Sequence, residues 1–298
     1  MKRIVINADG YGLTDGTSRA IEECVEFGTV TSISVNVNFP RAAGLPRFLL
    51  RHPRLSVACH LNPVVGRSIL PAQEIPTLVG SDGQFLRHDF RRRLRSGIIR
   101  RSELHRELRA QIDRTRQLAG DQLDHLDFHM GLENQPAIYP LFLRLAEETG
   151  IGRIRTHKYH FGLHHRHPRL AQLAHLISRP SHLPKYLYNL GLRRLAKNRR
   201  LGMPDLTFSA SYLAEREITP KTYAAVLRHA PPGCLEFIAH PAYADDELRM
   251  WARYVTPRER ERAALCSEEF RDAIASTGVR LVSYQDVAVP LFGMRHGE

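Results

Sequence analysis

The chain reads as an α/β protein: a (β/α) barrel, closed or slightly open, of about seven parallel strands with a basic helical insertion. Three observations predict this. Short β-branched and apolar runs recur along nearly the whole chain with helical patterns between them, the rhythm of parallel strands and crossover helices. The first run, Ile4-Val5-Ile6, is continuous rather than alternating, as suits a strand buried on both faces. Polar groups able to do chemistry follow directly on several of these runs, where α/β folds put their sites. A length of 298 residues admits one large domain or two small ones; the sustained rhythm favours one, 1–298, with a lid or insertion at about 157–204.

The elements follow in order. After the strand at residues 4–6, Thr14 or Asp15 caps a helix over 15–27. Thr29 to Asn38 alternates as a second strand, Arg41 to Arg51 is a short helix, and Leu55 to Cys59 is a third strand that delivers His60. Pro63 to Phe85 is rich in proline and glycine and reads as loop. Leu104, Leu108 and Ile112 mark a helix over 103–118. Leu123 to Phe128 is a strand ending at His129, and 136–149 is a helix with proline at its start and Gly150 past its end. Arg153 to Arg155 is a short strand. In the insertion, helices at 170–177 and 186–196 are separated by Pro180 and Pro184. Strand 205–209, helix 220–228, strand 234–239 presenting His240, one long helix over 257–275 and a last strand at 280–284 complete the chain.

Hydrophobic residues make up 43% and charged residues 25%, so a sizeable core needs no staples. Cys24, Cys59, Cys234 and Cys266 are far apart and form no metal-finger spacing, which fits reduced, buried thiols in a cytosolic protein. The first strand follows the basic N-terminal residues with no apolar leader, and no stretch of eighteen apolar residues occurs. The expected location is the cytoplasm, peripheral to the inner membrane if the insertion binds lipid.

The net charge of +12 is local. Residues 157–204 hold ten Lys or Arg and no Asp or Glu, with seven of the sixteen histidines. A second run, 87–101, holds seven Arg against one Asp. Such patches suit anionic partners, or are simply solvated surface. In the insertion, Tyr186, Leu187, Tyr188, Leu190 and Leu192 are mixed with Lys185, Arg193, Arg194, Lys197, Arg199 and Arg200, the composition of an interfacial helix on anionic lipid; a lid closing over a cleft is the plainer reading. His157, His160, His164, His165 and His167 offer a second metal site only if the turn at Gly162 gathers them.

Asp9, His60, His129 and His240 fall at the ends of four strands. In a parallel barrel those ends share one rim, so residues distant in sequence converge. Singly, each histidine reads as a satisfied structural residue and Asp9-Gly10 as a turn pair. Together, one carboxylate and several imidazoles suit a divalent ion that binds and activates water.

The motifs Asn7-Ala-Asp-Gly-Tyr-Gly-Leu13, Gly28-Thr-Val-Thr-Ser32, Leu55-Ser-Val-Ala-Cys-His-Leu-Asn62, Gly66-Arg67 with Ile75-Pro-Thr-Leu-Val79, His125-Leu-Asp-Phe-His129 and Glu236-Phe-Ile-Ala-His-Pro-Ala-Tyr243 resemble those of the YdjC-like carbohydrate deacetylases. That family includes chitooligosaccharide deacetylases and a hopanoid-biosynthesis-associated branch. The loop at 66–86 and the basic insertion look most like the latter. The resemblance implies a distorted TIM-like barrel that removes acetyl groups from N-acetylated sugars, oligosaccharide or lipid-linked, with Mg²⁺ or Zn²⁺. By the same resemblance Asp9 matches a general base, His60 and His129 match metal ligands, and His240 matches an acid or oxyanion stabiliser that acts as imidazolium. Tyr11 and Arg67 are candidates to contact the sugar, packing or loop anchoring being the plainer reading of both.

The family's first motif carries two adjacent aspartates, the second a metal ligand; here that position is Gly10. Three outcomes stay open: Asp9 itself binds the ion, Glu133 or Asp127 supplies the carboxylate, or the site is dead and the protein binds sugar or lipid without catalysis. A homodimer is compatible with the sequence. Nucleic acid is disfavoured, because no recognition motif or stacking platform accompanies the charge.

Overall fold

The computed structural model describes residues 1–156 and 158–290. Its seven-stranded parallel sheet runs in the order β4-β3-β2-β1-β6-β5, with β7 also paired to β1. The strands are β1 (Lys2–Tyr11), β2 (Ser32–Val35), β3 (Ser56–Leu61), β4 (Leu123–Phe128), β5 (Leu206–Ser209), β6 (Gly233–Ala239) and β7 (Arg280–Leu281). The segment after β4 continues the ring: Leu126 bridges Ile154, Arg153 bridges Gly202, and Tyr159 bridges Thr207 of β5. The curled sheet is thus a TIM-like distorted barrel, stitched between β4 and β5 by single bridges rather than by a full strand.

β1 is the axis. Its start pairs with β6 from Lys2–Gly233 to Ala8–Ala239, its end with β2, and Arg3 and Ile4 with β7. Side chains alternate across a strand. Ile4, Ile6 and Ala8 point outward into the main apolar core, while Val5 joins a small plug with Cys234, Val282, Tyr284 and Val287. Beyond that plug the barrel interior is polar: Asn7, Asp9, Ser34, His60, Asp127 and Glu236 are all buried. At Gly10 the pairing with β2 shifts and the backbone takes φ +117°, a bulge that suits glycine.

The outer layer holds α1 (Asp15–Glu26), α2 (Leu45–Leu49), α3 (Phe90–Arg95), α4 (Arg101–Ala119), α5 (Tyr139–Thr149), the insertion helices α6 (Pro168–Ser178) and α7 (His182–Asn198), then α8 (Pro220–His229), α9 (Asp246–Trp251), α10 (Thr256–Leu265) and α11 (Glu268–Ser276). Thr14 caps α1 by accepting from the Thr17 N–H, and α5 ends on Gly150 in the left-handed conformation.

Two expectations need correction. The helix expected over 257–275 is two, because the Ser267 hydroxyl accepts from the Phe270 N–H and starts a new helix there. The last strand is only Arg280–Leu281; the chain then turns so that the Tyr284 ring stacks on His125, 3.6 Å between centroids, inside the barrel. All four cysteines are free thiols, Cys24 and Cys266 lying 3.5 Å apart at sulfur.

Candidate active site

The C-terminal rim of the sheet opens into a cleft of about 650 Å³. Its floor holds Asp9 from the end of β1, His60 from β3, His129 just past β4 and His240 just past β6. The four side chains singled out from the sequence therefore meet in one place, as strand ends on a shared rim require.

The centre of the floor is a residue the sequence reading passed over. Arg155, in the stitched segment, is fully buried and reaches three carboxylates. Its Nη1 lies 2.7 Å from Asp9 Oδ2 and 2.7 Å from Asp127 Oδ2, its Nη2 2.8 Å from Asp9 Oδ1, and its Nε 2.8 Å from Glu236 Oε1. Asn7 Nδ2 donates to Asp9 Oδ1 at 2.7 Å, and Ser34 Oγ sits 2.6 Å from Asp127 Oδ2. Burial alone would raise Asp9, but the Arg155 charge and hydrogen bonds, with the charge of His60, hold it well below the usual carboxylate range. Asp127 is lowered in the same way.

His60 and Asp127 form the next contact, Nδ1 to Oδ1 at 2.8 Å. Burial would lower His60, yet Asp127 and Asp9 outweigh it and raise its pKa. The other ring nitrogen, Nε2, lies 3.4 Å from His129 Nδ1. Burial, reinforced by the charges of His60 and Arg258, brings His129 down to about 3, so its ring is neutral. His240 has Nε2 3.8 Å from Asp9 Oδ2, and burial likewise brings it to about 3. Its burial favours the neutral ring over the expected imidazolium. Its backbone N–H donates to Glu261 Oε2 at 2.6 Å, and Tyr254 Oη donates to Glu261 Oε1 at 2.6 Å. Burial pushes the Glu261 carboxyl up to about 7.

Asp9, His60 and Asp127 each present a ligand atom, and these atoms lie within 4.8 Å of one another. The chemistry of the set fits a divalent ion. Three buried carboxylates outnumber the one guanidinium between them, and the Asp127 contact on His60 Nδ1 leaves Nε2 facing the cleft beside His129, the arrangement of a histidine ligand and its orienting carboxylate. Of the two proposed substitute carboxylates, Asp127 belongs to this group. Glu133 is buried within the turn His129–Asn134; neither carboxylate lines the cleft itself.

Tyr11 and Arg67 do not line the cleft either. The bulge at Gly10 reverses the alternation of β1, so Tyr11 turns outward, donates to Glu22 Oε1 at 2.9 Å and stacks on Phe48. Arg67 Nη2 donates to the Asp82 carbonyl at 2.7 Å. The walls come instead from Tyr159, Phe161, Tyr186, Tyr212 and Tyr254, with Arg91 and Lys185 among them. Arg258 is buried at the rim with Nη1 lacking a hydrogen-bond partner, 3.6 Å from where a Cβ at position 10 would lie. In the insertion, His175 and His182 approach at 2.9 Å and His164 and His165 are ring neighbours, but none joins a three-residue metal group among the described residues. His157 lies outside them.

Fold and site define a (β/α) barrel whose rim carries a buried carboxylate–imidazole cluster able to hold a metal ion. The chain belongs to the YdjC-like protein family, whose profile matches residues 3–276. It is 27% identical over 289 residues to a carbohydrate deacetylase of Brevibacillus brevis, covering 96% of this chain and 99% of that one. It is 28% identical over 290 residues to a carbohydrate deacetylase of Listeria monocytogenes, covering 96% and 100%. A solved Enterococcus faecalis structure, provisionally described as a cellobiose-phosphate cleavage protein, shares the fold at a TM-score of 0.72 and 23% identity, over 95% of this chain and 98% of that one.

Proposed function

We propose that the protein is a metal-dependent hydrolase that removes the acetyl group from an N-acetylated sugar. The observation that carries this reading is that Asp9 and His60 lie on the floor of an aromatic-walled cleft with the buried Asp127 directly behind them, in a chain whose relatives bear the name carbohydrate deacetylase. His60, His129 and Asp9 would hold Mg²⁺ or Zn²⁺, with Asp127 behind them orienting His60; the ion would supply a Lewis acid for the acetamide carbonyl and lower the pKa of water.

The protein's own groups do the rest. Asp127 fixes the His60 ring, and Arg155 fixes Asp9 and Asp127 against each other. Asp9, ionised at rest, accepts the proton of the attacking water where it is not spent as a metal ligand, and passes that proton to the leaving amine. His240, neutral, donates from Nε2 toward the carbonyl oxygen as charge develops on it. The C–N bond breaks, the amine takes up a proton, and acetate leaves. The tyrosine walls stack on sugar rings through their apolar faces. Within the family, the basic insertion and the loop at 66–86 incline our reading to the hopanoid-associated branch, working in the cytoplasm.

One observation favours a second reading, a sugar- or lipid-binding protein with impaired catalysis. Gly10 occupies the position of the family's second aspartate, and the Arg258 guanidinium lies on that side of the floor. One experiment separates the two: metal content of the purified protein, and acetate release from soluble and lipid-linked N-acetylglucosaminyl compounds with Mg²⁺, Zn²⁺ or chelator. Hydrolysis predicts bound metal, lost in His60→Ala, and acetate, lost in Asp9→Asn. No acetate with any substrate, and Asp9→Asn indistinguishable from wild type, establishes the binding reading.

A further inference from the structure

We propose that the α6–α7 hairpin is a docking surface for an anionic lipid bilayer. The hairpin reverses the usual placement of amphipathic helices, whose apolar stripe faces the core. No residue of α6 is buried. Leu170, Leu173 and Ile177, spaced three and four apart on one face, are 66%, 56% and 70% exposed. On α7, Leu183, Leu187 and Leu195 fall on a row spaced by four through Gly191 and are 44%, 57% and 52% exposed. With Tyr188, these are seven of the thirteen large hydrophobic side chains exposed among the described residues, so the exposure is concentrated rather than scattered.

The hairpin is nonetheless fastened to the barrel. Leu192, Arg193 and Ala196 are buried, Tyr139 Oη donates to the Leu192 carbonyl at 2.6 Å, and Arg193 reaches Thr156 and the Pro204 carbonyl. Its outward leucines therefore belong to a fixed surface.

Charge decides what covers that surface. Arg166, Arg169, Arg179, Lys185, Arg194 and Lys197 make no ion pair with a carboxylate among the described residues, and residues 157–204 contain no Asp or Glu. A second copy of the chain would set cations against cations. An anionic bilayer offers hydrocarbon for the leucines and phosphates for the cations. His182, Lys185, Tyr186 and Asn189 of α7 also form a wall of the cleft, so docking holds the cleft mouth at headgroup level. The proposal stands without the hydrolytic reading.

The test is flotation of the full chain with vesicles of phosphatidylcholine alone or mixed with phosphatidylglycerol, at low and high salt. Its companions are analytical ultracentrifugation and acetate release from a soluble N-acetylated sugar. Wild type is expected to float with phosphatidylglycerol vesicles at low salt and to bind them about tenfold or more over phosphatidylcholine alone. Leu173→Asp/Ile177→Asp and, separately, Arg169→Glu/Arg179→Glu are expected to lose that binding, with an unchanged circular dichroism spectrum and unchanged acetate release. Failure of folded wild type to float at low salt overturns the proposal. So does flotation of Leu173→Asp/Ile177→Asp equal to wild type. A wild-type dimer that this variant makes monomeric, without vesicle binding, assigns the surface to a second copy instead.

Discussion

The barrel floor and the α6–α7 hairpin both depend on cationic side chains, and they use them in opposite ways. On the floor, Arg155 has every arm on a carboxylate and is shielded from water. On the hairpin, Arg193 apart, the cations stand in solvent beside exposed leucines. The second basic run, 87–101, lies between the extremes: Arg87 donates to the carbonyls of Met250 and Trp251, Arg93 to that of Thr77, and Arg92 pairs with Asp89. In the sequence these stretches differ only in acid content. What separates an organising cation from a docking one is the partner, and partners are set by the fold.

The comparison predicts a graded series. Arg155→Met leaves three buried carboxylates without their cation and is expected to cost about 3–5 kcal/mol in urea unfolding, the largest effect of any single arginine; Arg155→Lys recovers part of it. A loss below about 1 kcal/mol would mean that the floor does not depend on this network.

Next is Glu261. Its carboxyl is raised from 4.5 to about 7 in the folded chain, so the folded state binds the proton more tightly than the unfolded one. Stability must then fall as pH rises from about 4.5 to 7, by roughly 3 kcal/mol if Glu261 acted alone. Glu261→Gln is expected to flatten that slope, checked by urea titrations at several pH values. Asp9 and Asp127 act with the opposite sign: their lowered pKa values stabilise the fold above the ordinary carboxylate range, and that contribution disappears as pH falls through their folded-state values. Arg87→Ala, which frees two carbonyls at a partly exposed site, should cost about 1 kcal/mol by the same unfolding assay. Smallest is Arg169→Glu/Arg179→Glu, expected within about 0.5 kcal/mol of wild type, because these exposed side chains make no hydrogen bond or ion pair among the described residues.

Much of this was legible in the sequence, for a physical reason. A strand followed by a polar residue marks a rim position, and the rim of a parallel barrel is shared, so Asp9, His60, His129 and His240 could be brought together without coordinates. Arg155 was not singled out, although 153–155 reads as a short strand: the segment is held by single bridges only, and one more arginine among 43 Lys and Arg carries no signal. Arg258, Tyr254 and Glu261 reach the floor from α10 and the loop before it, off the strand ends altogether. Tyr11 packs rather than facing the cleft because a one-residue bulge inverts the side chains beyond it, and nothing in Asp9-Gly10-Tyr11 separates a bulge from a turn.

The pairing of β1 also bears on how the protein is made. One edge of this strand, residues 2–8, waits for Gly233–Ala239, so most of the chain must leave the ribosome before the ring can close. Until then an apolar segment with unmet amide groups is open to foreign strands. Shortened versions ending before Gly233 should therefore collect as insoluble material rather than as a smaller working domain, and yield in a heterologous host should respond to slower translation or added chaperone more than to changes at the cleft.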